Sequence, residues 1–129
     1  MTLQVTPFYA AVLGLLFIRL SVGTLLLRRK LKIAIGDGGN PQMLRAMRVH
    51  ANFAEYVPLS LLLIAMFEMR GGQFWFVHAL GLCLVIGRLS HFYGVSQTTE
   101  RLAFRVFGMA MTFTALGGAA LGVLIPYIF

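Results

Sequence analysis

Four apolar runs, each close to the length that crosses a bilayer, set the limits of this fold. A hydrocarbon core about 30 Å thick takes a helix of roughly 20 residues. The runs cover about 7–27, 51–69, 74–93 and 106–129. Hydrophobicity is continuous within each run rather than alternating, which excludes barrel strands, and open sheet edges cannot face lipid. The expectation is an all-α integral membrane protein, one domain over residues 1–129 built as a bundle of four transmembrane helices. Composition agrees: 59% of residues are hydrophobic and 12% charged, against about a quarter charged in soluble domains.

The linkers carry the charge. Net charge is +7. Arg28, Arg29, Lys30, Lys32, Arg45 and Arg48 lie in or beside the first linker, and Arg101 and Arg105 in or beside the third. The second linker, "RGGQ", has only Arg70. The positive-inside rule puts the first and third linkers in the cytoplasm and both termini outside. Basic charge beside apolar runs suits anionic headgroups. No zinc-finger spacing or RNA-binding signature points to nucleic acid. In "GDGGNPQ" the glycines end the first helical region, with Asn40 set to cap the next helix and Pro41 at its first position. The first apolar run lacks a basic n-region and a cleavage site, and is expected to stay as a span. Cys83 is the single cysteine, so a dithiol mechanism has no second sulfur.

The stretch "RAMRVHANFAEYVP" breaks the apolar pattern. Arg48, Asn52 and Glu55 follow at i, i+4 and i+7, one stripe of a helix, with Arg45 extending it by a turn. Charge in lipid costs a few kcal/mol per residue even on lenient scales, so the stripe must face protein or water. Arg88 and His91 lie near the cytoplasmic end of the third span. Counting residues along the helices brings Glu55 and Arg88 to similar depth. Arg28 and Arg105 close the rim, giving a basic pocket with one carboxylate. An ion pair pinning helices together needs one arginine and one acid. This excess of arginines fits an anionic ligand that also carries an amine, with guanidiniums on its carboxylates and Glu55 on its ammonium. Arginines would also favour a bound thiol as thiolate. No metal-ligand set is present: His78 and His91 are far apart along their helix.

Other residues carry simpler expectations. Arg19, in mid-span, should find a partner such as Glu55 or Glu68, or a water-filled seam. Glu68 should be solvated at the outer interface and His50 should lie at headgroup level. Trp75 and Tyr127 fit interfacial aromatics. Phe17, Phe104 and Phe107 should face lipid or pack. The small residues Gly108, Thr112, Ala115, Ala119 and Gly122 should let the fourth helix approach a neighbour closely.

"GDGGNPQMLRAMRVHANFAEYVPLSLLL" and "IGRLSH" resemble the second- and third-helix segments of MAPEG proteins, the membrane-associated proteins in eicosanoid and glutathione metabolism. The specific part is Arg-x-x-x-Asn-x-x-Glu followed by Pro58. The chain looks closest to the short bacterial members. The resemblance implies a trimer of four-helix protomers in the inner membrane, with glutathione as cosubstrate bound between neighbours at the cytoplasmic side. Arg48, Asn52 and Glu55 would hold glutathione with Arg88 and His91 beside them, and Arg28 at the rim. Arg105, or Arg101 in the alternative register, would be the catalytic arginine that stabilises the thiolate. Tyr93 or Ser96 would stand in for a family tyrosine whose position is Val95. The implied activity is a glutathione transferase or peroxidase-like reaction on a lipophilic electrophile. A four-helix transporter using Glu55 and a glutathione binder without catalysis are the alternatives.

Overall fold

The computed structural model describes residues 2–129. Four helices follow in chain order: α1 (Thr6–Leu31), α2 (Pro41–Met69), α3 (Phe74–Ser96) and α4 (Leu102–Ile128). All four are long and apolar enough to cross a membrane, and no strand occurs among the described residues. The molecule is an all-α four-helix bundle. Many large side chains, including Phe8, Leu15, Leu25, Leu62 and Leu124, remain exposed on its flanks, as lipid-facing positions require.

α2 begins ten residues before its apolar run. Asn40 is the reason: its side-chain Oδ1 accepts from the Met43 backbone N–H at 3.0 Å, and Pro41 takes the first helical position. Pro there sacrifices no hydrogen bond, because the first helical N–H groups have no intrahelical partner. Arg45 and Arg48 therefore stand on a regular helix below the apolar segment, with their directions fixed. α4 likewise starts four residues earlier than hydropathy suggests, so Arg105 is helical rather than in a loop.

α1 is capped from outside. Its own Ncap residue, Val5, offers no side-chain hydrogen bond. The Glu68 carboxylate on α2 accepts from the backbone N–H groups of Gln4 and Val5 at 2.7 Å and Thr6 at 2.8 Å, and from the Thr6 hydroxyl. An anion at a helix N-terminus satisfies orphan donors and opposes the positive end of the helix dipole. Glu68 is thus a tether between helices, where free solvation was expected. Further in, His50 Nε2 lies 3.0 Å from Ser21 Oγ, and its ring stacks on Phe17 at 4.8 Å. His50 joins α1 to α2, and Phe17 packs between His50 and Phe53.

α3 and α4 make the closest pair. A methyl on Gly108 would come 2.5 Å from the His91 backbone nitrogen, and one on Gly94 2.6 Å from the Arg105 nitrogen. Gly108, Thr112, Ala115 and Ala119 are all buried along this seam. The small-residue stripe thus sets the distance between α3 and α4, and with it the spacing of His91 and Arg105.

Candidate functional site

The site grows from the α2 stripe. A helix advances about 100° per residue, so with Arg48 as origin Asn52 lies about 40° to one side, Arg45 about 60° to the same side, and Glu55 about 20° to the other. The bundle meets this stripe on the Asn52 side. Asn52 and Arg45 are half-buried, while Arg48 and Glu55 are exposed. One stripe is divided lengthwise between the interior of the chain and its outer surface.

Arg88 enters from α3 and is 2% exposed. Its Nη2 donates to Asn52 Oδ1 at 2.7 Å. Guanidinium nitrogens only donate, so the Asn52 amide must turn its oxygen to Arg88. Among the described residues, that leaves the Asn52 NH2 group without a hydrogen-bond partner, on a residue that lines a cavity. Arg88 Nε and Nη1 and His91 Nδ1 are buried, likewise without a partner among the described residues. Such orphans are uncommon in finished interiors.

The cavity has a volume of about 270 Å³ and lies between α2, α3, α4 and the α3–α4 linker. Arg45, Arg48, Asn52, His91, Glu100 and Arg105 supply its polar lining, and Pro41, Leu44 and Val95 its apolar lining. Arg45 Nη1 donates to the Val95 carbonyl at 3.3 Å. Glu100, in the linker, accepts from Arg105 Nη1 at 2.6 Å and comes within 3.8 Å of Arg45 Nη1. The hydrogen bond from Arg105, with the charges of Arg105 and Arg45, holds the Glu100 carboxyl below the usual carboxylate range. Three guanidiniums and an amide NH2 face one carboxylate across this space. A hollow with that lining accepts an anionic ligand rich in hydrogen-bond acceptors.

The sequence expectations divide accordingly. Arg48, Asn52, His91 and Arg105 come together around the cavity, with Arg88 behind Asn52. Glu55 does not meet Arg88: it is exposed on α2, forms no ion pair among the described residues, and Arg88 is taken by Asn52. The carboxylate in the basic cavity is Glu100, which the sequence reading passed over although it stands between the arginines of the stripe and Arg105. Its adjacency to Arg101 and its i, i+5 relation to Arg105 were the available signal. Arg28 lies outside this cavity and donates to the Gly36 carbonyl at 2.7 Å. Tyr93 is also outside; its exposed ring packs edge-on against Phe104, with the Arg101 guanidinium over it at 5.7 Å. Arg101 therefore points away from the cavity that Arg105 lines. Ser96 is exposed and is not among the residues lining the cavity. Arg19 finds neither Glu55 nor Glu68. It is exposed and its guanidinium runs along α1 beside Gly23, toward the C-terminal end of the helix, as a long basic side chain can extend away from apolar surroundings.

Comparison with known proteins agrees with this architecture. The chain is 38% identical over 113 residues to the inner membrane protein YecN from two strains of Escherichia coli, covering 88% of this chain and 85% of the relative. The family model described as "MAPEG family" matches residues 6–125, nearly the whole bundle with its basic cavity, and the chain belongs to that family.

Proposed function

We propose that this protein is a glutathione-binding membrane enzyme of the transferase or peroxidase-like type, acting on lipophilic electrophiles in the bacterial inner membrane. The observation that carries this reading is the donor-lined cavity of Arg45, Arg48, Asn52 and Arg105 in a chain of the MAPEG family. Glutathione brings two carboxylates, an ammonium and a thiol. The guanidiniums suit its carboxylates, and a guanidinium beside the sulfur favours thiolate over thiol. We assign that last role to Arg105. The proton leaves to water at the cytoplasmic rim. The sulfur lone pair then forms a bond to an electrophilic carbon as that carbon's leaving group or π-electron pair departs. The protein contributes position and charge while the ligand supplies the nucleophile.

A trimer explains the outward half of the stripe. The cavity is slightly smaller than complete small-molecule pockets, which begin near 300 Å³. Arg48 lines it and is exposed, and Glu55, outside its lining, is exposed on the same stripe of α2. A neighbouring copy set against this face would bury them and could bring its own Arg28 to the rim. Glu55 would then take the glutathione ammonium at the seam. The YecN relatives are inner membrane proteins by name, which supports the same location here; the basic charge of the α1–α2 and α3–α4 linkers supports a cytoplasmic side for both.

Calorimetry of the detergent-purified protein with glutathione is the primary test. Saturable binding is expected, lost in Arg48→Ala and in Glu55→Gln. Thiolate absorbance should appear on adding glutathione to the wild type and vanish in Arg105→Ala, which still binds. A wild type that releases no heat with glutathione refutes the reading.

A further inference from the structure

Glu100 is an acid placed against the arginines that the proposed ligand needs. The chain has four acidic residues. Glu68 tethers α1, Asp37 Oδ1 accepts from the Gly39 N–H within the α1–α2 linker at 3.0 Å, and Glu55 faces outward. Glu100 alone lines the cavity. Each of its carboxylate oxygens is directed at a different guanidinium, Oε1 at Arg105 and Oε2 at Arg45. Those two guanidiniums come from α4 and α2, so Glu100 links the two helices within the lining of the cavity. We propose that Glu100 is a resident counter-ion which an incoming anion must replace, and that it thereby sets a threshold that a ligand with one anionic group barely clears.

Three features support replacement rather than a permanent bridge. Glu100 sits in the short non-helical linker between Ser96 and Leu102, where its side chain can turn away without unwinding a helix. Its side chain and that of Arg45 are each 29% exposed, and that of Arg105 is 51% exposed. Ion pairs this open to water are weakly held, so water can take over the displaced carboxylate. The Arg101 N–H donates to the Gly94 carbonyl at 3.1 Å and holds the backbone next to Glu100, so exchange needs only a turn of the Glu100 side chain.

Specificity follows from counting charges. A ligand with a single anionic group exchanges one carboxylate on Arg105 for another and gains little. A ligand with a second anionic group also engages Arg48 and the free Asn52 NH2, which Glu100 does not occupy. Such a ligand has a net gain on entering. Displacing Glu100 costs both kinds of ligand alike, so Glu100 sets the threshold for binding while Arg48 and Asn52 supply the difference between them.

This inference rests on the proposed glutathione reading, and the experiment separates the two. Wild type and Glu100→Gln are compared by calorimetry with glutathione and with its glycine-ethyl ester, which has lost one carboxylate. The expected result is a Kd about two- to fivefold lower in Glu100→Gln for both ligands, the range of an exposed ion pair, because both displace the same carboxylate. Unchanged or weaker binding in the variant overturns the proposal and makes Glu100 a structural strut or an ammonium acceptor. In parallel, the ligand-free proteins are treated with phenylglyoxal and the modified arginines mapped by mass spectrometry. Arg105 should react several-fold faster in Glu100→Gln, with Arg101 unchanged. If neither ligand binds either protein, the glutathione reading fails, while the Arg105 labelling rate still decides whether Glu100 covers that arginine. An unaltered rate overturns the counter-ion.

Discussion

Arg88 on α3 holds the Asn52 amide on α2 by a 2.7 Å hydrogen bond to its oxygen. Because the guanidinium has no acceptor, this one contact decides which end of the amide Asn52 presents to the cavity. It also explains how a 2%-exposed arginine outside the cavity lining fixes what the cavity presents.

Asn52→Asp should separate structure from binding. A carboxylate pairs with Arg88 better than an amide does, so the melting temperature in detergent should hold or rise. The NH2 donor is gone and a negative charge faces the ligand, so glutathione affinity should fall at least about tenfold, in line with a lost charge-assisted bond worth 1.5–3 kcal/mol. Unchanged affinity would show that Asn52 presents nothing to the ligand.

The α3–α4 seam should be intolerant where the backbones touch and tolerant elsewhere. Gly108→Ala puts a methyl 2.5 Å from the His91 nitrogen. Backbone cannot yield as a side-chain tip can, so the cost should be about 1–3 kcal/mol, the usual range for overpacking. A Cβ on Gly117, also on α4, meets nothing within 4 Å. Gly117→Ala should therefore stabilise by up to about 1 kcal/mol through helix propensity. Thermal unfolding of the two variants side by side checks both signs.

Glu68 should matter to the bundle and not to the ligand. Glu68→Ala leaves the N–H groups of Gln4, Val5 and Thr6 without their acceptor. A loss of about 1–3 kcal/mol is expected, as for other deprived donors, with Glu68→Gln in between. Proteolysis near the N-terminus of the variant should rise. Glutathione binding should not change, because Glu68 lies at the opposite end of α2 from the cavity.

Acid should erase the contribution of Glu100. Its carboxyl is held below the usual range by Arg105 and then Arg45. A group depressed in the folded state contributes stability above its unfolded pKa, about 4.3 for Glu, and loses it as pH falls through the lower folded value. The difference in melting temperature between wild type and Glu100→Gln should therefore be constant from about pH 5.5 to 8 and shrink toward zero at pH values below the ordinary carboxylate range. A difference that grows in acid would mean that the pair is not the source of the shift.

Hydropathy was enough for the four helices, since a continuous apolar run of bilayer length has no other stable form in lipid. The Asn40–Pro41 cap and the small-residue stripe of α4 were also legible, because each acts through local geometry. Periodicity put Arg45, Arg48, Asn52 and Glu55 on one stripe, but it could not say which edge of that stripe the bundle would cover. That depends on the roll of α2 against α3, and a difference of about 60° separates half-buried Asn52 from exposed Glu55.

Tertiary structure alone decided the pairings of the acids. Glu68 reaches the start of α1 across more than sixty positions, Arg88 chooses Asn52 over Glu55, and Glu100 bends into the arginines from a linker. A charged side chain settles on whichever opposite group the packed backbones bring within about 4 Å. The amino-acid order sets which charges exist and on which face of a helix they stand. Their distances across helices arise only when glycine-lined seams bring those helices together.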